Sequence, residues 1–538
     1  MLARLRLPLA AFPSVKIALA AGALALAAPL AMAATPPDTL VIAHNIDDMI
    51  TLDPAEAYEF SGIEVVSNVY DRIMVFEPDD LTKLVGGAAE SWSASADGRT
   101  FTFKMRAGLK FHSGNPVRAE DAAFSLRRVI KLDKTPAFLI SQLGWTKDNV
   151  DSMVKAVDDT TLQFTVNDDY SPSFILALMN SGVGSVVDEK TVMAHDANGD
   201  FGNAWLKTNS AGSGAFVLRS WKANESVNLE AFPGFRSGAP KMKRVVIRHV
   251  PEPAAQRLLV EKGDADVAYD LSPDQVAGVA GNKDVTIMNV PRAALHYLAL
   301  NLKTEALAKP KVREAMRYLV DYKGMAETFL KGQAKVHQAF WPSGFWASLD
   351  DTPYSFDPAK AKALLAEAGY PNGLELTLDA SNSSPGVNIA QSVQATMAQG
   401  GVKLTILSAE QKAVITKYRA RQHQMLLIYW GPDYMDPHTN ADSFARNTDN
   451  SDNPKTKPLA WRNSWYIPEI SQMTAAALRE RDSEKRAEMY EALQRKVMQE
   501  GPFIIMLQDS KQVALRSNVK GLVMGPTSDV VFYRLVTK

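Results

Sequence analysis

The chain has 538 residues, 46% hydrophobic and 22% charged, and this composition excludes a disordered, collagen-like or coiled-coil protein. Its 59 Lys and Arg residues nearly balance its 60 Asp and Glu residues, so no general electrostatic field favours nucleic acid or an anionic membrane. Cysteine is absent, which excludes disulfide bonds, thiolate metal ligands and cysteine nucleophiles.

The start of the chain has the pattern of a secretory signal. Arg4, Arg6 and Lys16 are basic, residues 17–30 are apolar, Ala or Gly apart from one Pro, and an A-M-A cleavage sequence ends at Ala33. An uncleaved membrane anchor is the alternative, but the apolar run is short and rich in Ala. We expect cleavage after Ala33 and a soluble protein exported to a Gram-negative periplasm.

Helical and strand patterns alternate along the rest of the chain, which favours an α/β architecture. A hairpin is predicted around Asp97-Gly98, because residues 101–105 alternate apolar and polar side chains after this turn. A helix is predicted over 119–130, where the apolar side chains share one face.

The second half of the chain contains three further patterns. Apolar spacing predicts a helix over 310–320. In the next helix, Asp357 is the predicted N-cap and Gly369 is the predicted left-handed residue after its end. Residues 483–499 form a long amphipathic helix pattern, and an apolar strand is predicted to follow at 503–507.

Motifs for metal and nucleophilic chemistry are not found in this sequence. No two of the eight histidines lie three or four residues apart, so the usual metal-ligand spacings are missing. The sequence also has no G-x-S-x-G nucleophile motif, no P-loop and no G-x-G-x-x-G dinucleotide motif. We therefore predict no metal site, no cofactor and no catalytic residues.

The loop at 429–437 combines three aromatic side chains and two carboxylates after a predicted apolar strand. Loops at strand ends commonly carry ligand-binding groups. Trp430, Asp433 and Tyr434 could bind a cationic group, since a carboxylate pairs with the charge and aromatic rings pack against the apolar part. An enzymatic alternative pairs Asp433 with Asp436 as acid and base, and a structural alternative makes Asp436 a turn cap.

Several ordered motifs together resemble the family 5 extracellular solute-binding proteins of ABC importers, the peptide/nickel group. They include A-A-E-S-W at 88–92, L-K-F-H-S-G at 109–114, G-S-G-A-F at 212–216 and D-P-x-x-A-x-x-L-L-x-E-A-G-Y at 357–370. The resemblance spans essentially the whole chain after Ala33. It implies an α/β, two-lobe periplasmic-binding-protein fold of type II, with an extra subdomain and a ligand cleft between the lobes.

The resemblance also implies domain boundaries and a function. Lobe I is predicted at 34–78, 209–300 and 508–538, the extra subdomain on lobe I at 79–208, and lobe II at 301–507. The chain would thus cross between the lobes twice. The implied function is capture of a peptide or peptide-like, amine-bearing solute in the periplasm and its delivery to an ABC permease.

One site residue follows directly from the resemblance. Peptide-binding members place an Asp of a W-x-x-D-x-x-x-P loop against the α-ammonium of the ligand, and Asp433 is at the matching position. Dipeptide-binding members add an Arg for the ligand carboxylate, but the matching segment here, 379–385, contains none. Asn382 could donate a neutral hydrogen bond instead. A longer peptide, an opine-like or other conjugated solute, and nickel or haem held by a chelator are alternative ligands.

Aromatic side chains are predicted to complete the cleft: Tyr58 and Phe60 from lobe I, and Trp341, Phe345, Trp430 and Tyr434 from lobe II. For the four residues outside the 429–437 loop, packing within the protein is the alternative. We expect a monomer that is not an enzyme and that works with the permease's transmembrane subunits and their ATPase. A periplasmic hydrolase, or a partner of a sensor using the same cleft, is the alternative function.

Overall fold

A computed structural model describes residues 35–538, and the predicted secretory signal lies outside this described part. The strands of the described part are β1 (Thr39–His44), β2 (Met74–Glu77), β3 (Asp80–Gly86), β4 (Ala89–Ala94), β5 (Thr100–Met105), β6 (Val154–Asp158), β7 (Thr161–Thr165), β8 (Phe216–Lys222), β9 (Ser226–Ala231), β10 (Arg244–His249), β11 (Val267–Ala268), β12 (Val285–Leu300), β13 (Ala334–Val336), β14 (Leu374–Ser381), β15 (Val402–Ala409), β16 (Met425–Trp430), β17 (Phe503–Arg516), β18 (Val523–Met524) and β19 (Val531–Phe532).

The helices of the same part are α1 (Phe60–Val69), α2 (Ala119–Leu132), α3 (Phe138–Ser141), α4 (Val150–Met153), α5 (Pro172–Asn180), α6 (Glu189–Met193), α7 (Asn203–Leu206), α8 (Pro253–Lys262), α9 (Pro273–Val279), α10 (Glu305–Ala308), α11 (Pro310–Arg317), α12 (Tyr322–Glu327), α13 (Pro358–Glu367), α14 (Gly386–Gln399), α15 (Gln411–Arg419), α16 (His438–Phe444), α17 (Leu459–Arg462), α18 (Pro468–Arg479) and α19 (Ser483–Glu500). Within residues 35–538, no helix is both long and apolar enough to cross a membrane.

The predicted local elements mostly agree with the structure. β4 and β5 form a hairpin whose turn contains Gly98, and its φ of 71° is a conformation that glycine adopts without strain. α2 begins at the predicted residue, and the carboxylate of Asp357 accepts the N–H of Lys360 at 2.9 Å as the N-cap of α13. Gly369, with a φ of 93°, follows that helix as expected.

The helix predicted over 310–320 is wrong in length. α11 ends at Arg317, and a new helix, α12, starts only a few residues later. Asp321 explains this change, because its carboxylate accepts the N–H of Gly324 at 2.8 Å and caps α12. Leu319 and Val320, between the two helices, are nevertheless fully buried, so the apolar pattern correctly marked core positions.

The largest sheet has the strand order β15-β14-β16-β12-β17-β11-β1-β10-β9-β8, and β13 pairs with β17 beside this path. β1 is parallel to β10 and β11, and β14 is parallel to β15 and β16. A separate four-stranded antiparallel sheet, β4-β5-β7-β6, lies in the predicted extra subdomain. The α/β, two-lobe fold predicted from the sequence is confirmed.

β12 and β17 form an antiparallel central ribbon that connects the two halves of the large sheet. On the lobe I side β17 pairs with β11, and from Leu295 onward β12 pairs with β16 of lobe II. The register of the ribbon shifts between Pro291 and Leu295. The predicted lobe boundaries stay predictions, and along β12 the change of sheet neighbours comes before residue 300.

Gln508 holds the ribbon at this shift. Its side chain is fully buried, donates to the carbonyl oxygen of Arg292 at 2.9 Å and accepts the N–H of Ser343 at 2.9 Å. Since a buried amide is costly without partners, these bonds fix the two strands against each other where they pass between the lobes.

Each part of the molecule has its own hydrophobic core. The core of the extra subdomain includes Phe101 and Phe164, and that of lobe I packs α1 against β1 and β8–β10. In lobe II, α11, α13 and α14 cover one face of the sheet. A second lobe II core, which contains Tyr297 and Phe503, covers the opposite face.

Candidate functional site

The ends of the parallel strands of both lobes meet beside the central ribbon. In lobe I, β1 and β11 end at His44 and Ala268, and in lobe II, β14 and β16 end at Ser381 and Trp430. Trp430 pairs with Leu295, directly at the register shift. Ligands of open α/β sheets bind beyond the carboxyl ends of the strands, so this region is the candidate site.

Tyr58 and Asp433 join the two lobes at this site. Tyr58 precedes α1 of lobe I, and Asp433 lies in the loop between β16 and α16 of lobe II. The hydroxyl of Tyr58 donates a short hydrogen bond to Oδ1 of Asp433. Thr439, in α16, donates to Oδ2 at 3.5 Å and also accepts the backbone N–H of Asp433 at 3.2 Å. Two residues predicted separately as ligand contacts are therefore direct neighbours.

The carboxylate of Asp433 lies in a poorly solvated position. Burial raises its pKa to about 6, although the hydrogen bonds from Tyr58 and Thr439 act in the opposite direction. Burial, followed by the charge of Asp433, also raises the pKa of Tyr58. Among the described residues, the side-chain partners of Asp433 are hydroxyl groups and no cation contributes to its pKa. A positively charged group would therefore stabilise the ionised form of this carboxylate.

Trp430 is held in a fixed orientation at the end of β16. Its indole N–H donates to Oδ1 of Asn440 at 3.0 Å, and its ring packs edge-on against Phe444 at 6.3 Å. The residue is partly exposed. Trp430 can therefore offer a rigid aromatic surface beside the Asp433 loop.

Exposed aromatic rings surround Tyr58. Phe60, at the start of α1, is 60% exposed, and Tyr58 is 39% exposed. Phe138 of α3 packs edge-on against Tyr58 at 6.0 Å and is itself 44% exposed. Phe138 was missed in the sequence, because its surroundings there gave no sign of contact with a residue 80 positions earlier. These rings form an apolar rim on the lobe I side of the site.

Tyr434 is buried, in contrast to its predicted place on the cleft surface. Only 6% of it is exposed, and its ring packs edge-on against Phe174 of α5 at 5.7 Å. Both rings belong to the core that fills the extra subdomain. Tyr434 thus anchors the lobe II loop to the extra subdomain, and this packing corrects its expected role as a ligand contact.

Asp436 forms a buried ion pair with Arg486 of α19. The two carboxylate oxygens accept from the guanidinium at 2.7 and 2.8 Å, and Oδ1 also accepts the N–H of His438. The bond to His438 is the turn cap considered from the sequence, whereas the ion pair with Arg486 was not predicted. A carboxylate fully engaged by arginine is a poor proton donor or acceptor, so the geometry does not favour an acid and base pair of Asp433 and Asp436.

Asn382 lies at the end of β14, where the sequence placed it. Its side chain is exposed, and its backbone N–H donates to the carbonyl oxygen of Ala409 at 2.9 Å. The neighbouring hydroxyls of Ser381 and Ser383 bond to each other at 2.8 Å. Asn382 is thus free to bind a ligand from the lobe II side, and that contact stays a prediction.

The aromatic loop after β13 differs from the prediction. Trp341 is only 1% exposed, and its indole N–H donates to the carbonyl oxygen of Trp346 at 2.9 Å. Phe345 is partly exposed and lies 6.1 Å from the ring of Trp341. Trp341 therefore packs under its own loop, the alternative considered for it, because its large apolar ring fills the lobe II core. Trp346, which is 38% exposed, is the outer aromatic residue of this loop.

A cluster of three polar side chains beside the ribbon, Tyr429, His296 and Asp509, was not predicted from the sequence. Tyr429 is 45% exposed and lies 6.1 Å from the ring of His296 on the neighbouring strand. His296 in turn contacts the carboxylate of Asp509 at 2.7 Å. Burial alone would lower the pKa of His296, but Asp509 outweighs it and raises this pKa. The three residues come from three strands, so only their pairing in the sheet brings them together.

Metal binding finds no support in the described part of the chain. Residues 35–538 contain no group of three or more His, Asp and Glu side chains placed to hold a metal ion. The site is thus built from one carboxylate, hydroxyl and amide groups, and aromatic rings. This set suits an organic ligand with a cationic group and an apolar portion.

The sequence matches, over residues 83–452, the family model described as bacterial extracellular solute-binding proteins, family 5 Middle. It is 29% identical over 511 residues to the probable D,D-dipeptide-binding periplasmic protein DdpA of Escherichia coli K12, covering 94% of this chain and 95% of that protein. It is 26% identical over 502 residues to the E. coli K12 glutathione-binding protein GsiB, covering 90% and 91%.

Solved structures share the fold over nearly the whole chain. The periplasmic binding protein DppA from Helicobacter pylori, in complex with peptide STSA, superposes with a TM-score of 0.76 at 22% identity, covering 93% of this chain and 98% of that one. NikZ from Campylobacter jejuni, in complex with Ni(L-His), gives a TM-score of 0.75 at 21% identity, covering 94% and 100%.

Proposed function

The chain belongs to the family 5 bacterial extracellular solute-binding proteins, and we propose that it captures a peptide or peptide-like, amine-bearing solute between its lobes for an ABC importer. Proteins of this family are substrate-binding components of transporters, and the similar proteins named above include a probable D,D-dipeptide-binding periplasmic protein and a glutathione-binding protein. Delivery of the bound solute to the permease's transmembrane subunits and their ATPase completes the proposed role.

One observation carries the proposal: the Asp433 carboxylate lies between the lobes without a cationic partner in the described structure. A ligand ammonium would replace the Tyr58 hydroxyl or share the carboxylate with it. Such a ligand would contact both lobes at once. A solute shifts a lobe equilibrium only through its different affinity for the two states, so contact with both lobes favours the closed state.

The end of the ligand opposite the ammonium group would be bound without an ion pair. The segment 379–385 contains no Arg that could pair with a ligand carboxylate, and Asn382 offers a neutral amide there. Partly exposed aromatic rings, Trp430 on lobe II and Phe60 on lobe I, would pack against the apolar portion. We therefore propose an amine-bearing ligand whose second end is bound by neutral hydrogen bonds and apolar contact.

The ligand is identified by native mass spectrometry of freshly purified protein, and its affinity is measured by calorimetry. Asp433→Asn keeps the size of the side chain but removes the charge that pairs with the ammonium. Loss of one partner of a desolvated charge pair costs about 3–5 kcal/mol, so we expect affinity to fall at least about a hundredfold.

The matched control is Glu375→Gln, which removes one negative charge from an exposed side chain on β14 of lobe II. Its affinity should equal that of the unchanged protein. An Asp433→Asn protein that binds the ligand as tightly as the unchanged protein would disprove the ammonium pairing. An intact ligand after prolonged incubation supports binding without chemistry, whereas cleaved ligand would contradict it.

We also propose that the protein acts as a monomer in the periplasm after cleavage behind Ala33. The similar proteins named above include periplasmic ones, and no helix among residues 35–538 could span a membrane. Intact mass of the exported protein tests the cleavage position, and light scattering during size-exclusion chromatography tests the monomer. A retained signal or a stable dimer would contradict these two points.

A further inference from the structure

A small crevice with apolar and charged lining lies on the lobe I side of the molecule, apart from the Asp433 loop. It is formed by the end of α1, the start of β2, the segment before β8 and the C-terminal segment around β19. Its interior is about 40 Å³, which is room for a small ion or a single acidic group and too little for a peptide. Its charged lining consists of Asp71, Arg72, Arg236, Asp529 and Arg534.

Two of the three arginines in this crevice are already paired with the two carboxylates. Nε of Arg236 contacts Oδ2 of Asp71 at 2.6 Å. Nη1 of Arg72 contacts Oδ2 of Asp529 at 3.0 Å and also donates to a backbone carbonyl. Each aspartate thus forms an ion pair with one arginine, and the third arginine of the lining has no such partner among residues 35–538.

Arg534 is this third arginine. Among residues 35–538 it forms no ion pair and no side-chain hydrogen bond, and its guanidinium lies 5.3 Å from the ring of Phe532 and 5.8 Å from that of Phe235. Burial and the neighbouring Arg236 lower the pKa of Arg534, and the charges of Asp71, Glu77 and Asp79 act in the opposite direction. The guanidinium is therefore partly desolvated, and among residues 35–538 no carboxylate contacts it directly.

A second arginine of the crevice has a hydrogen-bond donor without a partner among residues 35–538. Nε of Arg72 is buried and has no hydrogen-bond partner among the described residues. Buried donors normally have a partner, since an unmet donor costs free energy. In the described part of the chain, the crevice thus combines an arginine without a direct ion pair and an arginine with an unmet donor, and an oxyanion would satisfy either group.

We propose that this crevice binds a small oxyanion, a carboxylate or phosphate group, between Arg534 and Arg236. The guanidinium fork of arginine matches two oxygens of such a group through charge-assisted hydrogen bonds. The aromatic rings beside Arg534 limit its motion and its contact with water. Binding of an anion therefore costs less side-chain conformational entropy. This site is independent of the solute site proposed above.

Calorimetric titration of the protein with sodium phosphate and with sodium acetate, at constant ionic strength against sodium chloride, tests the proposal. We expect saturable binding of at least one of the two anions. Arg534→Gln should weaken it at least tenfold. The control Lys520→Gln removes one positive charge from an exposed side chain of the same C-terminal segment and should change affinity less than twofold.

The two anions distinguish the source of the acidic group. A clear preference for phosphate assigns a phosphate group, and a clear preference for acetate assigns a carboxylate, and either supports the site. Arg534→Lys keeps the charge without the fork and should give an intermediate loss. This variant provides the test if circular dichroism shows that Arg534→Gln does not fold.

Crystals soaked in sodium selenate locate the anion directly by its anomalous signal. We expect a peak within hydrogen-bond distance of Arg534 and Arg236. No saturable binding, equal affinity in the unchanged protein and Arg534→Gln, or a selenate peak only outside the crevice would each overturn the proposal.

Discussion

Asp433 has a raised pKa because the surroundings that make it a good partner for an ammonium also disfavour its own charge. It lies beside two hydroxyl groups in a poorly solvated loop, and burial raises its pKa to about 6. A bound cation would lower this pKa again. The proposed solute contact of Asp433 would therefore link binding to protonation near the physiological range.

Solute affinity should fall on acidification because only the ionised Asp433 pairs with an ammonium. With a pKa of about 6 in the free protein, the ionised fraction drops about tenfold between pH 7 and pH 5. We expect the dissociation constant to rise by about the same factor, as measured by calorimetry at both pH values. Asp433→Asn should bind weakly and equally at both, and an affinity of the unchanged protein that does not depend on pH would contradict the assignment.

Tyr58→Phe should raise the midpoint pH at which solute affinity falls. The Tyr58 hydroxyl donates to the carboxylate and lowers the pKa of Asp433, so its removal leaves the ionised form less stable. Calorimetry across a pH series should give a midpoint above that of the unchanged protein. Phe60→Leu, a change in the same rim without a hydrogen bond to Asp433, is the control, and a midpoint that stays or falls in Tyr58→Phe would argue against this contact.

Local sequence patterns predict the ends of some helices and strands better than those of others. α19 occupies residues 483–500, close to the predicted 483–499, since its amphipathic pattern and its Asp482 cap agree. β17 continues to Arg516, well beyond the predicted 507, because its partner β12 runs along its whole length. A strand's length depends on the strand beside it, which lies far away in the sequence.

Arg486 on α19 should be essential for stability. It and Asp436 are each almost fully buried, so its removal leaves an uncompensated carboxylate in the interior. We expect Arg486→Met to lower the free energy of unfolding by about 3–5 kcal/mol in urea denaturation. Arg495 lies on the same helix and forms partly exposed ion pairs with Asp351 and Glu491. Arg495→Met should therefore cost less than about 1 kcal/mol, and similar losses for the two variants would contradict this account.

At the scale of the whole molecule, lobe II also touches the extra subdomain away from the solute site. Arg479 at the end of α18 donates to Asp168 at 3.1 Å and lies 3.4 Å from Asp169. Its hydrogen bond lowers the pKa of Asp168 to about 2. Arg481 donates to the carbonyl oxygen of Ala96 at 2.7 Å. These contacts stabilise an arrangement in which the two parts are close.

Arg479→Gln should favour a more open molecule. The pair is partly exposed, so its contribution is small, about 0.2–1 kcal/mol, and the solute should bind up to about fivefold more weakly. Small-angle scattering of the ligand-free protein should show a larger radius of gyration, and high salt should reduce the difference from the unchanged protein. Arg495→Gln is the control, and an unchanged radius and affinity in Arg479→Gln would exclude a role in closure.

The sequence by itself was sufficient for the family, the α/β fold and the two ends of α13, because ordered motifs, apolar periodicity and capping residues such as Asp357 and Gly369 act over a few neighbouring positions. It also singled out Asp433 through its place in a loop motif, and its contact with the solute stays a proposal.

Only the tertiary structure decided which of these aromatic residues are buried and which are exposed. Trp341 and Tyr434 have the same side-chain chemistry as Trp430 and Tyr58 but are buried. Tyr434 packs against Phe174, some 260 positions away. Burial and charge compensation depend on such distant partners, and no local pattern contains them.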